Sequence, residues 1–302
     1  MKIRPKDPCP CQSGKEYRYC HMIRNAYKPN KRIIFDKKKY VNDWQIDTEY
    51  FNKQGYYNWM ANCLFEKVNP ESILDIGCGN GNGIIELLKN DNVKFITSIE
   101  ENEYCIDNAY KKLSEKGINV NIIKRNDYVF KNQGFEVNYT EIDNFESARV
   151  NIIQGDITHD KILHDHLIRQ KFDAITCWLI GSHDSIYEYN DYMKAGVLNF
   201  SHYQMIVHKQ IFKLADIILN PKGFFHIVDR NEVPYASDIM QPLVKYYNNL
   251  SAFSNMKLYG DIKYLEYKPV ENGIQMPIFK NPLIERKSEF KGFALISILS
   301  MK

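Results

Sequence analysis

The sequence predicts an α/β protein with a small metal-binding module at its N-terminus. Three observations carry this expectation. A short apolar run of strand type, Ser72-Ile73-Leu74-Asp75-Ile76, leads at once into a glycine-rich turn at 77–83 and then into the helical sequence IIELLKN. Further apolar runs of strand length, KFITSIE, VNIIQGDI and FDAITCW, follow it along the chain. Three of the seven cysteines crowd into the first twenty residues. At 302 residues the chain exceeds the usual domain of roughly 100 to 200, and one α/β domain near 250 with an appendage accounts for the length. Hydrophobic residues make 44% and charged residues 25%, ordinary globular usage that excludes a disordered or fibrous class. No window approaches the ~20 uncharged apolar residues of a membrane-spanning helix, and the start MKIRPKDPCPC has no apolar stretch of the signal-peptide kind. The expected location is therefore cytoplasmic, with no membrane partner.

Taken in chain order, the first element is the segment DPCPCQSGKEYRYCH, which holds Cys9 and Cys11, then Cys20 beside His21. These are four soft or borderline ligands, the number a closed tetrahedral zinc site takes, and the turn-prone Ser13-Gly14 lets the two pairs meet. So short a stretch cannot build a core, so metal binding would supply most of its folding free energy. The alternative is a tail of unliganded cysteines. Asp7, Pro8, Cys9, Pro10, Cys11, Ser13, Gly14, Lys15, Tyr17, Cys20 and His21 closely resemble the SEC-C motif; Gln12 stands where a glycine is commoner. The resemblance covers about the first 25 residues. It implies zinc bound by Cys9, Cys11, Cys20 and His21, and contact with protein or ribosomal partners without chemistry of its own. Cys63, Cys78, Cys105 and Cys177 stand in apolar contexts and are expected to be buried thiols.

Residues 1–40 carry 12 Lys/Arg against 3 Asp/Glu, a net +9, while the rest of the chain is mildly acidic. The basic head points either to an anionic partner (protein, ribosome or RNA) or to a solvated charge run. On this reading residues 1–40 govern partner access and stand apart from the main domain's chemistry. Apolar and aromatic residues then recur at three- and four-residue steps from Tyr50 to Val68, which predicts one amphipathic helix ending before Pro70. Its Tyr56, Tyr57 and Trp59 are either core or a substrate-facing stripe. The expected division is a module at 1–26, a basic linker and helix at 27–70, and the main domain at 71–302.

The glycine turn follows the spacing G-x-G-x-G through Gly77, Gly79 and Gly81; the third glycine of a dinucleotide fingerprint would fall on Asn82. Asp75 precedes it by two residues, Glu100 ends the next strand, and Gly155-Asp156 ends a third. A nicotinamide or flavin site shares this architecture in outline. Together LDIGCGNGNG, SIEEN and QGDI strongly resemble motifs I, II and III of the class I S-adenosylmethionine-dependent methyltransferases. The resemblance implies a Rossmann-like, doubly wound, seven-stranded sheet with its last strand antiparallel, and S-adenosylmethionine as co-substrate. It places the methionine end at Asp75, Gly77, Cys78, Gly79 and Gly81, the ribose at Glu100, and the adenine at Asp156 and Ile157.

The stretch between Gly117 and Val150 is longer than the usual link and is expected to hold an inserted hairpin around GFEVNYTEI. FDAITCWLIGSHD aligns with the family's fourth strand, which faces the transferred methyl group, so Cys177, His183 and Asp184 join the site. His183 would orient or deprotonate the acceptor, or else is a structural histidine at a strand end. No N/D-P-P-Y/F/W signature occurs there, which argues against an exocyclic amine of a nucleobase as acceptor. His159, His164 and His166 are expected to be surface residues. The last segments, KLYGDIKYLEYKP and KGFALISILSMK, would form the antiparallel pair that closes the sheet. The expected activity is methyl transfer to an unidentified acceptor; the alternative is a non-catalytic, zinc-dependent adaptor on the same scaffold.

Overall fold

The computed structural model describes residues 3–9, 16–19, 21–131, 134–142, 148–270, 273 and 288–302, the side chain of residue 21 excepted. Short helix α1 (His21–Asn25) follows the N-terminal segment and leads into the long α2 (Pro29–Lys53) and α3 (Tyr56–Phe65). Then come β1 (Ser72–Ile76), α4 (Asn82–Leu87), β2 (Phe95–Glu100), α5 (Glu103–Glu115), β3 (Val120–Ile123), β4 (Asn126–Lys131), β5 (Gly134–Tyr139) and β6 (Val150–Gln154). The second half contains α6 (Lys161–Leu167), β7 (Phe172–Trp178), α7 (Asn190–Lys194), α8 (Phe200–Ile218), β8 (Leu219–Glu232), α9 (Ser237–Ser251), β9 (Lys257–Leu258), β10 (Lys263–Tyr267) and β11 (Phe293–Met301).

The strands build one sheet in the order β10-β11-β8-β7-β1-β2-β6-β3, with β9 paired to β11. From β3 to β8 all pairs are parallel; β11 runs antiparallel between β8 and β10. The closing antiparallel pair expected from the sequence is therefore present. The count differs: among the described residues the sheet has nine strands, not seven. The two additions are short edge pieces, β3 from the long link and β9 before the last turn, which satisfy backbone groups that an open edge would expose.

Successive strand residues point to opposite faces, and this divides the core in two. Leu74, Ile175, Cys177, Phe225 and Ile227 pack in one cluster with α8 and α9, whereas Ile73, Ala174, Trp178, Phe224 and Val228 pack in the other with α2 to α5. The strands β1 and β6 are buried throughout, as parallel strands covered on both faces must be. Helix α5 shows the matching helical pattern: Asn102 caps it by accepting the Tyr104 N–H, and Cys105, Ile106, Ala109 and Leu113 form its buried stripe.

The single helix expected over Tyr50–Val68 is two, because Gly55 takes a left-handed φ of 73° and the chain turns between α2 and α3. The long link does hold a hairpin, β4 against β5, with Phe135 stacked on Tyr189 at 5.5 Å.

Candidate active site

A cavity of about 900 Å³, its open mouth included, lies at the carboxyl ends of β1, β2, β6 and β7. Strand order reverses beside β1, since the chain builds outward to β2 and later returns to β7. Such a switch point is where open α/β sheets leave a crevice. Asp75, Gly77, Cys78, Gly79, Glu100, Asp156, Ile157 and His183 all line this cavity.

The glycine turn and Glu100 form one unit. The Gly77 N–H donates to the Ile99 carbonyl at 2.8 Å, and the Gly79 N–H donates to Glu100 Oε2 at 3.0 Å. Glu100 Oε1 accepts the Asn102 N–H at 2.9 Å. Gly79 has a φ of +50°, and a Cβ there would stand 3.0 Å from Trp44, so the turn tolerates no side chain without displacing the ring. Burial lifts the Glu100 carboxyl to about 7; the N–H groups of Asn102 and Gly79 oppose this and the neighbouring Glu101 adds to it. A carboxylate has about four lone-pair sites, so the two backbone bonds leave room for two more donors.

Asp75 is 4% exposed, with Thr176 donating to Oδ1 at 2.7 Å and Ser98 donating to Oδ2 at 3.3 Å. Burial outweighs these bonds and raises its carboxyl to about 6. Asp156 Oδ1 accepts from the Thr158 N–H at 2.8 Å and from the Tyr192 hydroxyl at 3.0 Å, and Oδ2 lies 3.2 Å from His159 Nδ1. His164 Nε2 meets the Ile157 carbonyl at 2.6 Å. Two of the histidines expected at the surface thus brace the 156–157 loop, half-buried.

Three expected site residues are placed elsewhere. Gly81 is not on the cavity wall: it caps α4 with a left-handed φ of 78° and packs against Ala109, where a Cβ would stand 3.2 Å from the Ala109 side chain. Cys177 is fully buried on the opposite face of β7, because strand alternation gives the cavity Trp178 instead; burial also pushes its thiol well up. Asp184 starts the 3-10 turn Asp184–Glu188, which carries it back toward Asp36 of α2 and off the wall.

Several wall residues escape sequence reasoning. Tyr40 and Trp44 of α2 line the cavity, and Gly181 exists as glycine because the Tyr40 hydroxyl occupies the space of a Cβ. Lys37, one of the basic residues of the head, is 1% exposed: its Nζ lies 2.8 Å from Glu101 Oε1 and 2.8 Å from Glu103 Oε2, and it meets the Tyr128 hydroxyl. Burial pushes the Lys37 amine down, but Glu101 and its other partners outweigh this and raise it well above the ordinary value. Burial likewise pushes Glu101 up, yet Lys37 and then His183 hold it well below the carboxylate range. His183, 4% exposed, contacts Glu101 through Nε2 at 3.2 to 3.3 Å. The acid doublet Glu100-Glu101 is the available signal for this network; nothing in Lys37-Lys38-Lys39 marks its first member. Trp178 is held in the wall by donating to His226 Nδ1 at 3.0 Å, and His226 in turn meets Ser297 at 2.8 Å.

The head is fastened to the body by charge. Arg24 of α1 pairs with Asp36 at 2.7 Å and with Glu188, and Arg32 pairs with Glu188 at 2.8 Å. Residues 1–40 do not stand wholly apart from the site: α2 begins at Pro29 and brings Tyr40 onto the cavity wall, with Lys37 paired behind that wall to Glu101. Of the four expected metal ligands, Cys9 is described and buried; Cys11, Cys20 and the His21 side chain lie outside the described residues. Around them, Pro8 bridges to Glu16, and Tyr17 N–H donates to the Asp7 carbonyl at 2.8 Å, which folds the segment back on itself. Among the described residues there is no cluster of three or more metal-ligating side chains.

Residues 6–23 match the SEC-C motif. That motif spans only the head. No curated protein sequence matches the chain. Among solved structures the chain is similar to the [4+2]-cyclase SpnF, at 14% identity over 69% of this chain and 60% of that one, with a TM-score of 0.40. It is similar to a sarcosine dimethylglycine methyltransferase, so described provisionally, from Galdieria sulphuraria, at 12% identity over 70% of this chain and 62% of that one, TM-score 0.40. It is also similar to the N-methyltransferase NodS of Bradyrhizobium japonicum in complex with S-adenosyl-L-homocysteine, at 10% identity over 88% and 96%, TM-score 0.46. The chain thus spans 60 to 62% of the length of the first two. The sheet itself is mixed and parallel-dominated, with helices packed on both faces.

Proposed function

We propose that the chain binds S-adenosylmethionine in this cavity and transfers its methyl group to an acceptor. One observation carries the reading: at the switch point, Asp75, the glycine turn, Glu100 and Asp156 converge on a single cavity from the ends of three strands. The donor and acceptor chemistry fits the ligand. Glu100 keeps two acceptor sites for a ribose diol while Gly79 and Asn102 fix its orientation. Gly77 and Gly79 let the ligand approach backbone, with Asp75 behind them, and Asp156 and Ile157 stand at the expected adenine end. The sulfonium supplies an activated methyl group, so the protein's task is mainly alignment of the acceptor and exclusion of water. Tyr40, Trp44 and Trp178 supply the walls for that. Calorimetric titration of the full chain with S-adenosylmethionine and S-adenosylhomocysteine tests the reading; no binding of either to folded protein refutes it and favours an adaptor.

The head, in this proposal, binds one zinc through Cys9, Cys11, Cys20 and His21 and serves recruitment. The motif match and the folded-back segment around Cys9 support zinc. Recruitment of a protein, ribosome or RNA would use exposed cations outside the ion pairs with the body, such as Lys28 and Lys31. A cytoplasmic setting belongs to the same proposal; no helix among the described residues is long and apolar enough to cross a membrane.

A further inference from the structure

Three residues of the cavity wall stand abreast at the ends of neighbouring strands. Pairing between β1 and β2 runs to Ile76 opposite Ile99, and between β1 and β7 to Asp75 opposite Thr176. Continued by one and by two residues, this register sets Gly77 between Glu100 and Trp178, each step across the sheet being about 4.8 Å. Ile76, Ile99 and Cys177 pack together on the α8–α9 side, so by alternation Glu100 and Trp178 share the other face, on the side of α2. In S-adenosylmethionine the sulfur is separated from the ribose diol by two carbons. A diol held at Glu100, with the methionine end at the glycine turn, therefore lays the sulfonium over Gly77 and beside Trp178.

Trp178 meets that space with its π system alone. Its indole N–H is turned away and donates to His226 Nδ1 at 3.0 Å; His226 Nε2, which then carries the ring proton, donates to Ser297 Oγ at 2.8 Å. His226 and Ser297 are buried, and burial holds the His226 imidazole down to about 3, so it stays neutral and its Nδ1 stays an acceptor. Gly83 of α4 fits against the same indole, where a Cβ would stand 3.3 Å away. The ring is thus fixed between β8 and α4. Trp44, the second indole on the wall, already carries the Arg230 guanidinium 5.2 Å from its ring centre.

We propose that Trp178, held in place by His226, is the residue through which the cavity tells the positively charged co-substrate from its neutral product. This rests on the S-adenosylmethionine reading above. The face of an indole is electron-rich and attracts a cation, most strongly where water is excluded. Methyl transfer turns the sulfonium into an uncharged thioether, and the attraction ends with it. The demethylated product is then the weaker ligand and gives way to the next co-substrate. Asp75 and Glu100 also favour a cation, but substitution of Trp178 leaves both in place and so separates their share from that of the ring. His226 is a positioning residue: it keeps the one N–H donor of the ring, whose dipole opposes a cation, out of the cavity.

The test measures the affinity of the full chain by calorimetry for S-adenosylmethionine, S-adenosylhomocysteine and sinefungin, which carries a protonated amine in place of the sulfonium methyl. No binding of any of them to folded protein refutes the cofactor reading. With binding present, the two cations should bind on the order of ten-fold tighter than S-adenosylhomocysteine; equal affinities in the parent protein overturn the proposal. Trp178→Leu should remove most of that ratio by weakening the cations alone, and Trp178→Phe, a poorer π surface, should give an intermediate ratio. A ratio that neither substitution changes, or a Trp178→Leu that weakens all three ligands alike, overturns the proposal and leaves Trp178 a matter of shape. Should the leucine variant not fold, the phenylalanine variant decides: a ratio equal to the parent's overturns the proposal. His226→Leu should lower the ratio, and His226→Asn, whose amide oxygen can accept the indole N–H, should restore it; a ratio unchanged in His226→Leu refutes the positioning role.

Discussion

Glu100 is the side chain on which most of the proposed binding turns, and it makes two separable predictions. Glu100→Ala removes the acceptor for the ribose pair and should weaken S-adenosylmethionine binding by about 1 to 3 kcal/mol, read by calorimetry on a variant shown to be folded. The second concerns pH. Burial raises the Glu100 carboxyl from 4.5 to about 7, so the folded chain holds this proton more tightly than the unfolded one. Its contribution to stability is then fully present below about 4.5 and lost as pH rises toward 7. Melting of the unliganded protein should show Glu100→Gln gaining stability relative to wild type across that window; a pH-independent difference would contradict the buried carboxyl. Asp75 acts in the same direction with its value near 6, which is why the comparison is made between variant and parent and not on the parent alone. Asp75, Glu100 and Asp156 are legible in the sequence itself because each stands at the end of an apolar strand run. Cys177 and Gly81 are not, since a one-residue step along a strand reverses the face and a turn glycine can serve the helix behind it.

Helix α2 is the element whose role the sequence concealed. It bears Tyr40 and Trp44 on the cavity wall and pairs Lys37 with Glu101 behind it, while Asp36 anchors Arg24 and accepts from Ser185. Arg24 and Asp36 are both nearly buried, and removing one member of such a pair leaves the other uncompensated. Arg24→Ala should therefore cost about 3 kcal/mol in urea unfolding, with much of it recovered when Asp36→Asn is added. The β4–β5 hairpin is placed as tightly: a Cβ on Gly134 would fall 2.2 Å from the Glu188 carbonyl. Gly134→Ala should loosen the hairpin from the Asp184–Glu188 turn, seen as faster amide exchange across β4 and β5 without loss of the main sheet.

Across the chain, the head and body are joined through the same site. Deleting residues 1–40 removes Tyr40 from the cavity wall and Lys37 from Glu101 behind it, and should weaken S-adenosylmethionine binding by on the order of ten-fold, the worth of about one good polar contact. Deleting residues 1–20 leaves both, together with Arg24, and should leave affinity unchanged. If both truncations bind like the full chain, α2 is a bystander. Zinc is checked on the intact protein by native mass spectrometry: one ion per chain, lost when Cys9→Ser and Cys20→Ser are combined.

The class of fold, the strand-ending acids, the glycine turn and the N-terminal motif were open to reading from the residues, because each is a local pattern: an apolar run of fixed length, a turn requiring glycine, a ligand spacing. Docking of α2 brought Lys37 to Glu101, the loops after β2 and β7 brought Glu101 to His183, and α1 carried Arg24 to Glu188. These partners are separated by as many as 164 residues, and a lysine beside two others in sequence looks the same whether it faces water or a buried acid. Local spacing fixes which face a side chain takes on its own element; only the docking of one element on another fixes what that face meets.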